Sequence, residues 1–109
     1  MSFNVISIAV FERQAKRLIR KYPSLKDEIL SLIKKLREEP EQGIALGNHC
    51  FKIRIAIASK GKGRSGGGRV ITNIIITEKT VYLLSIYDKS EKENLSAREL
   101  NELLQFIPE

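Results

Sequence analysis

Two hydrophobic periods divide this chain. From Phe11 to Leu36 apolar residues return every three or four positions, and from Phe51 onward they return every second position. Ahead of both, Phe3, Val5 and Ser7 alternate with Asn4, Ile6 and Ile8, which predicts a short first strand. Phe11, Ala15, Leu18, Ile19 and Tyr22 then keep to one face of a 3.6-residue period, with Arg13, Lys16, Arg17, Arg20 and Lys21 elsewhere on the helix. Tyr22-Pro23 ends it, because the proline ring pushes the preceding residue out of the helical region. A second helix is predicted with Ser24 as N-cap, Asp27 and Glu28 in the first turn, and a stripe of Leu25, Ile29, Leu32, Ile33 and Leu36 before Pro40. So tight a connection makes the two helices a hairpin. Their basic faces could meet a polyanion, although a solvated helix face is the commoner reason for such charges.

The segment from Glu41 to Asn48 reads as a loop, and the period then changes. Phe51, Ile53, Ile55 and Ile57 alternate with Lys52, Arg54, Ala56 and Ala58, so one strand face is bulky and apolar while the other carries two cations. Arg69 to Ile76 and Thr80 to Tyr87 are β-branched and aromatic runs separated by Glu78 and Lys79, the pattern of a hairpin of central strands. Ser96 and Glu99 have capping-box spacing ahead of Leu100, Leu103, Leu104 and Ile107, which predicts a short amphipathic helix stopped by Pro108. The order is β-α-α-β-β-β-α. It defines an α+β fold, with a helix hairpin packed on a four-stranded, mainly antiparallel sheet and a short C-terminal helix.

At 109 residues the chain is expected to form a single domain, 1–109. No apolar run approaches the roughly 20 residues of a membrane span. The start Met-Ser-Phe-Asn has no signal pattern, so a cytoplasmic protein with no membrane partner is expected. One cysteine, Cys50, and one histidine, His49, are too few for a disulfide or a zinc site, and Cys50 reads as a buried small apolar residue. No cofactor or metal is expected.

Charge changes the picture once it is located. The formal net charge is +6, and between Gln42 and Thr77 stand Lys52, Arg54, Lys60, Lys62, Arg64 and Arg69 with no Asp or Glu among them. Such a block favours a polyanion through phosphate contacts and counterion release. Within it, Gly61-x-Gly63-x-x-Gly66 matches the dinucleotide fingerprint in form only, because a strand follows it where the fingerprint needs a helix. What remains is a glycine-rich loop bearing Lys60, Lys62 and Arg64, suited to RNA phosphates; a plain flexible connection is the other reading.

The basic region has no paired carboxylates, no Ser/His/Asp order and no acidic cluster for magnesium, which disfavours metal-dependent phosphoryl chemistry. Metal-free RNA cleavage needs less. The ribose 2′-hydroxyl is the nucleophile, and the protein supplies a base, stabilisation of charge on phosphorus and an acid for the departing oxygen. A lysine crowded by cations can serve as the base, arginine binds two phosphate oxygens at once, and Tyr87 could stack on a base or donate a proton.

The helix hairpin followed by Phe51-Lys52-Ile53-Arg54, Gly68-Arg69-Val70 and Ile86-Tyr87-Asp88-Lys89 resembles the RelE/ParE superfamily of toxins from type II toxin–antitoxin modules, across nearly the whole chain. The stretch from Ser59 to Ile71, with Tyr87-Asp88-Lys89-Ser90-Glu91-Lys92, is similar to the HigB-like branch. The resemblance implies a ribosome-dependent messenger-RNA endonuclease that leaves a 2′,3′-cyclic phosphate, inhibits translation and is silenced by a cognate antitoxin, expected to be of helix-turn-helix type. It matches Lys52 and Arg54 to the family's paired basic positions, Arg69 to its phosphate-binding arginine, and Lys89 to the arginine that protonates the leaving group. Lys60, Lys62, Arg64 and Lys92 would bind RNA or ribosome. A C-terminal tyrosine of the RelE type falls at Leu95 here, which moves any stacking role to Tyr87. His49 lies near a histidine that some HigB toxins use, and a histidine at a strand entry is otherwise structural. Two further readings stay open: a ParE-like toxin that binds a protein target such as DNA gyrase without cutting RNA, and a non-catalytic RNA-binding module.

Overall fold

The computed structural model describes residues 2–57 and 67–108. The chain runs β1 (Asn4–Ser7), α1 (Ala9–Lys21), α2 (Leu25–Glu38), β2 (Ile44–Gly47), β3 (Cys50–Ile55), β4 (Gly68–Ile75), β5 (Thr80–Asp88) and α3 (Ala97–Leu104). The strands form one sheet in the order β1-β5-β4-β3-β2. β1 pairs with β5 in parallel and every other pairing is antiparallel. The α+β fold is as expected, with one strand more than the four predicted.

The extra strand is β2, in the segment read as a loop. Its four residues Ile-Ala-Leu-Gly are all exposed, so it carries no burial alternation for the sequence to display. A tight turn makes it a strand instead. Asn48 and His49 both take positive φ, 53° and 60°, folding β2 back onto β3. Gly43 starts it with φ +82°, and a side chain there would place Cβ 2.1 Å from the Lys52 carbonyl oxygen. Only glycine allows that approach.

β4 and β5 form the interior of the sheet. Every residue of β5 and all but the last of β4 are buried, as two central strands covered on both sides require. Their ladder slips once, where Ile71 faces Ser85 but Thr72 faces Leu83, leaving Leu84 as the extra residue of a bulge. Phe11, Ala15 and Leu18 of α1, with Leu25, Ile29 and Leu36 of α2, join Ile53, Ile55, Ile57, Val70, Ile74, Val81 and Ile86 in one core. β1 stops at Ser7, short of the end of β5, and α1 covers the strand edge left over. Gln14 there accepts hydrogen bonds from the Ile86 amide and the Ser85 hydroxyl, both at 3.0 Å.

Helix ends follow the sequence in part. Ser24 has helical dihedrals and makes no side-chain cap bond, so the turn into α2 closes through Leu25 N–H to the Tyr22 carbonyl at 3.0 Å. The Ser96–Glu99 capping box forms in full. α3 ends at Leu104, before Ile107, and the chain continues in a turn closed by Ile107 N–H to the Leu104 carbonyl. No helix among the described residues is long and apolar enough to cross a membrane.

Candidate nucleic-acid site

Strand register builds the site. Arg54 on β3 faces Arg69 on β4, which faces Tyr87 on β5, and Lys52 faces Ile71, which faces Ser85. Directly opposed residues point to the same face with Cβ atoms about 5 Å apart, so Arg54 and Arg69 stand side by side. Like charges in that relation destabilise a sheet, and an anion between them removes the conflict. A groove of about 580 Å³ opens over them, lined by Gln42, Gly43, Ile44, Lys52, Ile53, Arg54 and Arg69. Lys52 and Arg54, placed on one face by sequence alternation, therefore share one groove with Arg69, and the missed strand β2 supplies part of its outer wall.

The members differ in freedom. Arg54 is exposed and Lys52 half-buried, while Arg69 is 5% exposed, with its Nη1 donating to the Gly68 carbonyl at 2.9 Å. That bond holds a planar guanidinium at the groove's floor, where it loses little further freedom on binding phosphate. Lys52 Nζ donates to Asn94 Oδ1 at 3.1 Å. Asn94 was not singled out in the sequence: it lies 42 positions away, in the segment between β5 and α3, and nothing in the periodicity connects the two.

Tyr87 is 5% exposed, with Arg69 as its cross-strand neighbour and Leu95, Leu103 and Glu99 lining the same small cavity. Its hydroxyl is buried without a hydrogen bond; the Leu95 backbone approaches but does not complete one. Burial raises the phenol pKa above its ordinary value, the Arg69 charge offsets part of that rise, and Glu99 adds to it. The phenol therefore stays protonated at neutral pH.

The remaining candidates lie further out. Lys89 is exposed just beyond β5, with its amide donating to the Gly67 carbonyl at 3.1 Å, which places it at the same end of the sheet as Arg69. Lys92 forms an ion pair with Glu99, whose carboxyl it holds well below the usual range. Its charge is thus shared with α3. The adjacent Glu91 is held below the usual range by Arg17, with Lys21 assisting, which ties the turn after β5 to α1. Lys60, Lys62 and Arg64 lie outside the described residues. His49 sits in the β2–β3 turn, at the opposite end of β3 from Arg54, with its carbonyl accepting from the Ile74 amide at 2.9 Å. Cys50 is fully buried, as expected, and burial pushes its thiol pKa up. Among the described residues no group of His, Cys, Asp or Glu could hold a metal ion.

The fold, a helix hairpin on a mixed sheet, is shared with toxins of known structure. The chain superposes on a variant of the E. coli toxin RelE in the free state with a TM-score of 0.62 and 17% identity, covering 99% of this chain and 100% of that one. It superposes on a chain of the toxin–antitoxin complex RelBE2 from Mycobacterium tuberculosis with a TM-score of 0.57 and 16% identity, covering 81% and 92%. The isolated E. coli RelE toxin gives 0.50 and 15% identity over 97% and 100%. These likenesses establish the fold. Residues 7–107 match the family model of the RelE toxin of the RelE/RelB toxin–antitoxin system, and the chain belongs to that family.

Proposed function

We propose that this protein is the toxin of a toxin–antitoxin pair and acts as a ribosome-dependent messenger-RNA endoribonuclease, inhibiting translation in the cytoplasm until a cognate antitoxin silences it. The observation that carries the reading is the groove over Arg54 and Arg69, with Lys52 beside them and no carboxylate lining it. A binding surface alone has no need for two arginines opposed across one ladder. Charge building up on a phosphorus under in-line attack does, because two guanidinium groups side by side can take its non-bridging oxygens together.

In this reading the attacking 2′-hydroxyl and the scissile phosphate lie in the groove. Arg69, held at the floor, and Arg54, mobile at the rim, take the non-bridging oxygens. Lys52, oriented by Asn94, assists proton removal from the 2′-hydroxyl, and Lys89 beyond β5 protonates the departing 5′-oxygen. Tyr87 flanks Arg69 from β5, and stacking on a base would require Leu95 and α3 to lift from it. The glycine loop with Lys60, Lys62 and Arg64, together with Lys92, would grip RNA backbone outside the groove. The products are a 2′,3′-cyclic phosphate and a 5′-hydroxyl.

The test is a purified translation system programmed with one messenger. Cleavage within the reading frame, dependent on ribosomes and leaving 2′,3′-cyclic phosphate and 5′-hydroxyl ends, is expected. Cleavage that leaves 3′-hydroxyl and 5′-phosphate ends, or translation arrest with intact messenger, would reject the mechanism.

A further inference from the structure

A second hollow, of about 170 Å³, adjoins the groove at Arg54. It lies between α2 and β3 and shares Gln42 and Arg54 with the groove. β2 pairs with β3 no further along than Lys52, so it leaves the space beside residues 53–56 open. On the helix side, Glu28, Ser31, Leu32 and Lys35 stand at positions i, i+3, i+4 and i+7, which is one stripe of α2. Glu28 and Lys35 are about 10 Å apart along the helix axis, and neither forms an ion pair among the described residues. An ionised carboxylate only accepts hydrogen bonds and an ammonium only donates them, so the stripe offers an acceptor at one end and a donor at the other. Gln42 adds a second acceptor: its Nε2 donates to the Glu39 carbonyl at 3.0 Å and to the Glu39 carboxylate at 3.3 Å, which leaves its side-chain oxygen to accept. Leu32 and Ala56 supply apolar surface.

We infer that this hollow is a nucleobase subsite, which takes the base of a nucleotide next to the phosphate in the groove and selects bases with an exocyclic amino group over uracil. The inference rests on the reading of the groove as an RNA site. Its volume is below the roughly 300–1,000 Å³ of pockets for drug-sized ligands and suits one heteroaromatic ring system. A base that bridges the stripe turns a donor to Glu28 and an acceptor to Lys35, with hydrogen bonds of about 2.9 Å at either end. Cytosine does so with its amino group and ring carbonyl, and adenine and guanine with their amino groups and ring acceptors. An amino group also has a second hydrogen for the Gln42 oxygen. Uracil has a single ring N–H flanked by two carbonyls, so turning it to Glu28 sets carbonyl oxygens against the carboxylate and leaves Gln42 without a donor. Arg54, which lines both hollows, links the two by holding the phosphate of the same nucleotide.

Cytosine and uracil give a clean comparison, because they differ in one exocyclic group and ring protonation and share size and backbone charge. The probes are short 2′-O-methyl oligocytidine and oligouridine, which lack the attacking hydroxyl and cannot be cut. Titrated into the full isotope-labelled chain and followed by amide chemical shifts, oligocytidine should bind about tenfold or more tightly than oligouridine, the scale of one good base contact. Its shifts should include residues 28–35 and 54–56. Glu28→Gln replaces an acceptor by an amide that can also donate to a uracil carbonyl, so it should bring the two affinities to within about twofold, with circular dichroism showing the variant folded. Equal binding of the two by wild type, no binding of either, shifts confined to the groove, or full discrimination by folded Glu28→Gln would overturn the inference. Binding is read on RNA that cannot be cleaved. A chain that discriminated the bases yet never cut messenger would therefore sink the ribonuclease reading and leave the subsite standing, and a chain that cut messenger but bound both probes equally would do the reverse.

Discussion

Replacing Tyr87 by phenylalanine should make this protein more stable, which is the reverse of the usual effect of deleting a polar atom from a core. The Tyr87 hydroxyl is buried and makes no hydrogen bond. A buried polar group without a partner costs about 1–3 kcal/mol, and its removal leaves almost no cavity. A gain of about 1 kcal/mol corresponds to a rise in Tm of about 4 °C for a domain of this size. Alkaline pH sharpens the comparison. Burial raises the Tyr87 pKa in the folded state, so above about pH 10, the ordinary phenol value, the unfolded chain releases a proton that the folded chain keeps. The folded state then binds more protons, and stability falls as pH rises. Tyr87→Phe lacks that loss, so the gap between variant and wild type should widen above about pH 10. The buried Cys50 thiol adds an alkaline decline of the same sign to both proteins and cancels in the difference. Thermal unfolding followed by circular dichroism at neutral and alkaline pH measures both effects. A variant less stable than wild type by about 1 kcal/mol would mean that the hydroxyl has a partner after all, and the reasoning would fail.

Other outcomes follow from the same structure. Arg54 is exposed and faces Arg69 across the ladder, so Arg54→Ala relieves a like-charge pair and should raise Tm slightly while slowing cleavage by about 10²-fold or more, the scale of losing one donor to a developing anion; circular dichroism and single-turnover cleavage separate the two. Ser96→Ala breaks the capping box and should cost about 1 kcal/mol in denaturant unfolding, loosening α3 over Tyr87. Gly43→Ala places a methyl group against the Lys52 carbonyl and should free β2, read as faster amide exchange across residues 44–47. Acidification should release the turn after β5: the Glu91 pKa is depressed in the fold by Arg17, so the tie is present above the ordinary carboxylate value and is lost as pH falls below it. Exchange at Ser90 to Lys92 should then quicken, and Glu91→Gln should show the quickened rate already at neutral pH.

Much of this was legible in the residues. The helical stripes from Phe11 to Leu36 and the alternation from Phe51 to Ile57 report burial directly, since each period matches a face turned to the core. The same alternation put Lys52 and Arg54 on one face, and the absence of carboxylates from Gln42 to Thr77 marked that face as positive. β2 escaped because neither of its faces is buried; a turn with two left-handed residues and a glycine at close approach hold it in place, and neither writes a period into the sequence. The parallel pairing of β1 with β5 depends on where α1 and α2 return the chain. The Asn94–Lys52 contact and the burial of Tyr87 depend on how the segment before α3 crosses the sheet, and one capping box in that segment was the only local signal available.

The central claim is that Arg54 and Arg69 stabilise charge on a cleaved messenger. Its most direct test is mapping messenger-RNA 5′ ends after brief expression of wild type and of Arg69→Ala, with circular dichroism to show that the variant is folded. New 5′-hydroxyl ends that follow the reading frame in wild type, and at least about a hundredfold fewer in the folded variant, are predicted. Equal cleavage by the two proteins, or growth arrest by wild type with no new ends, would contradict it.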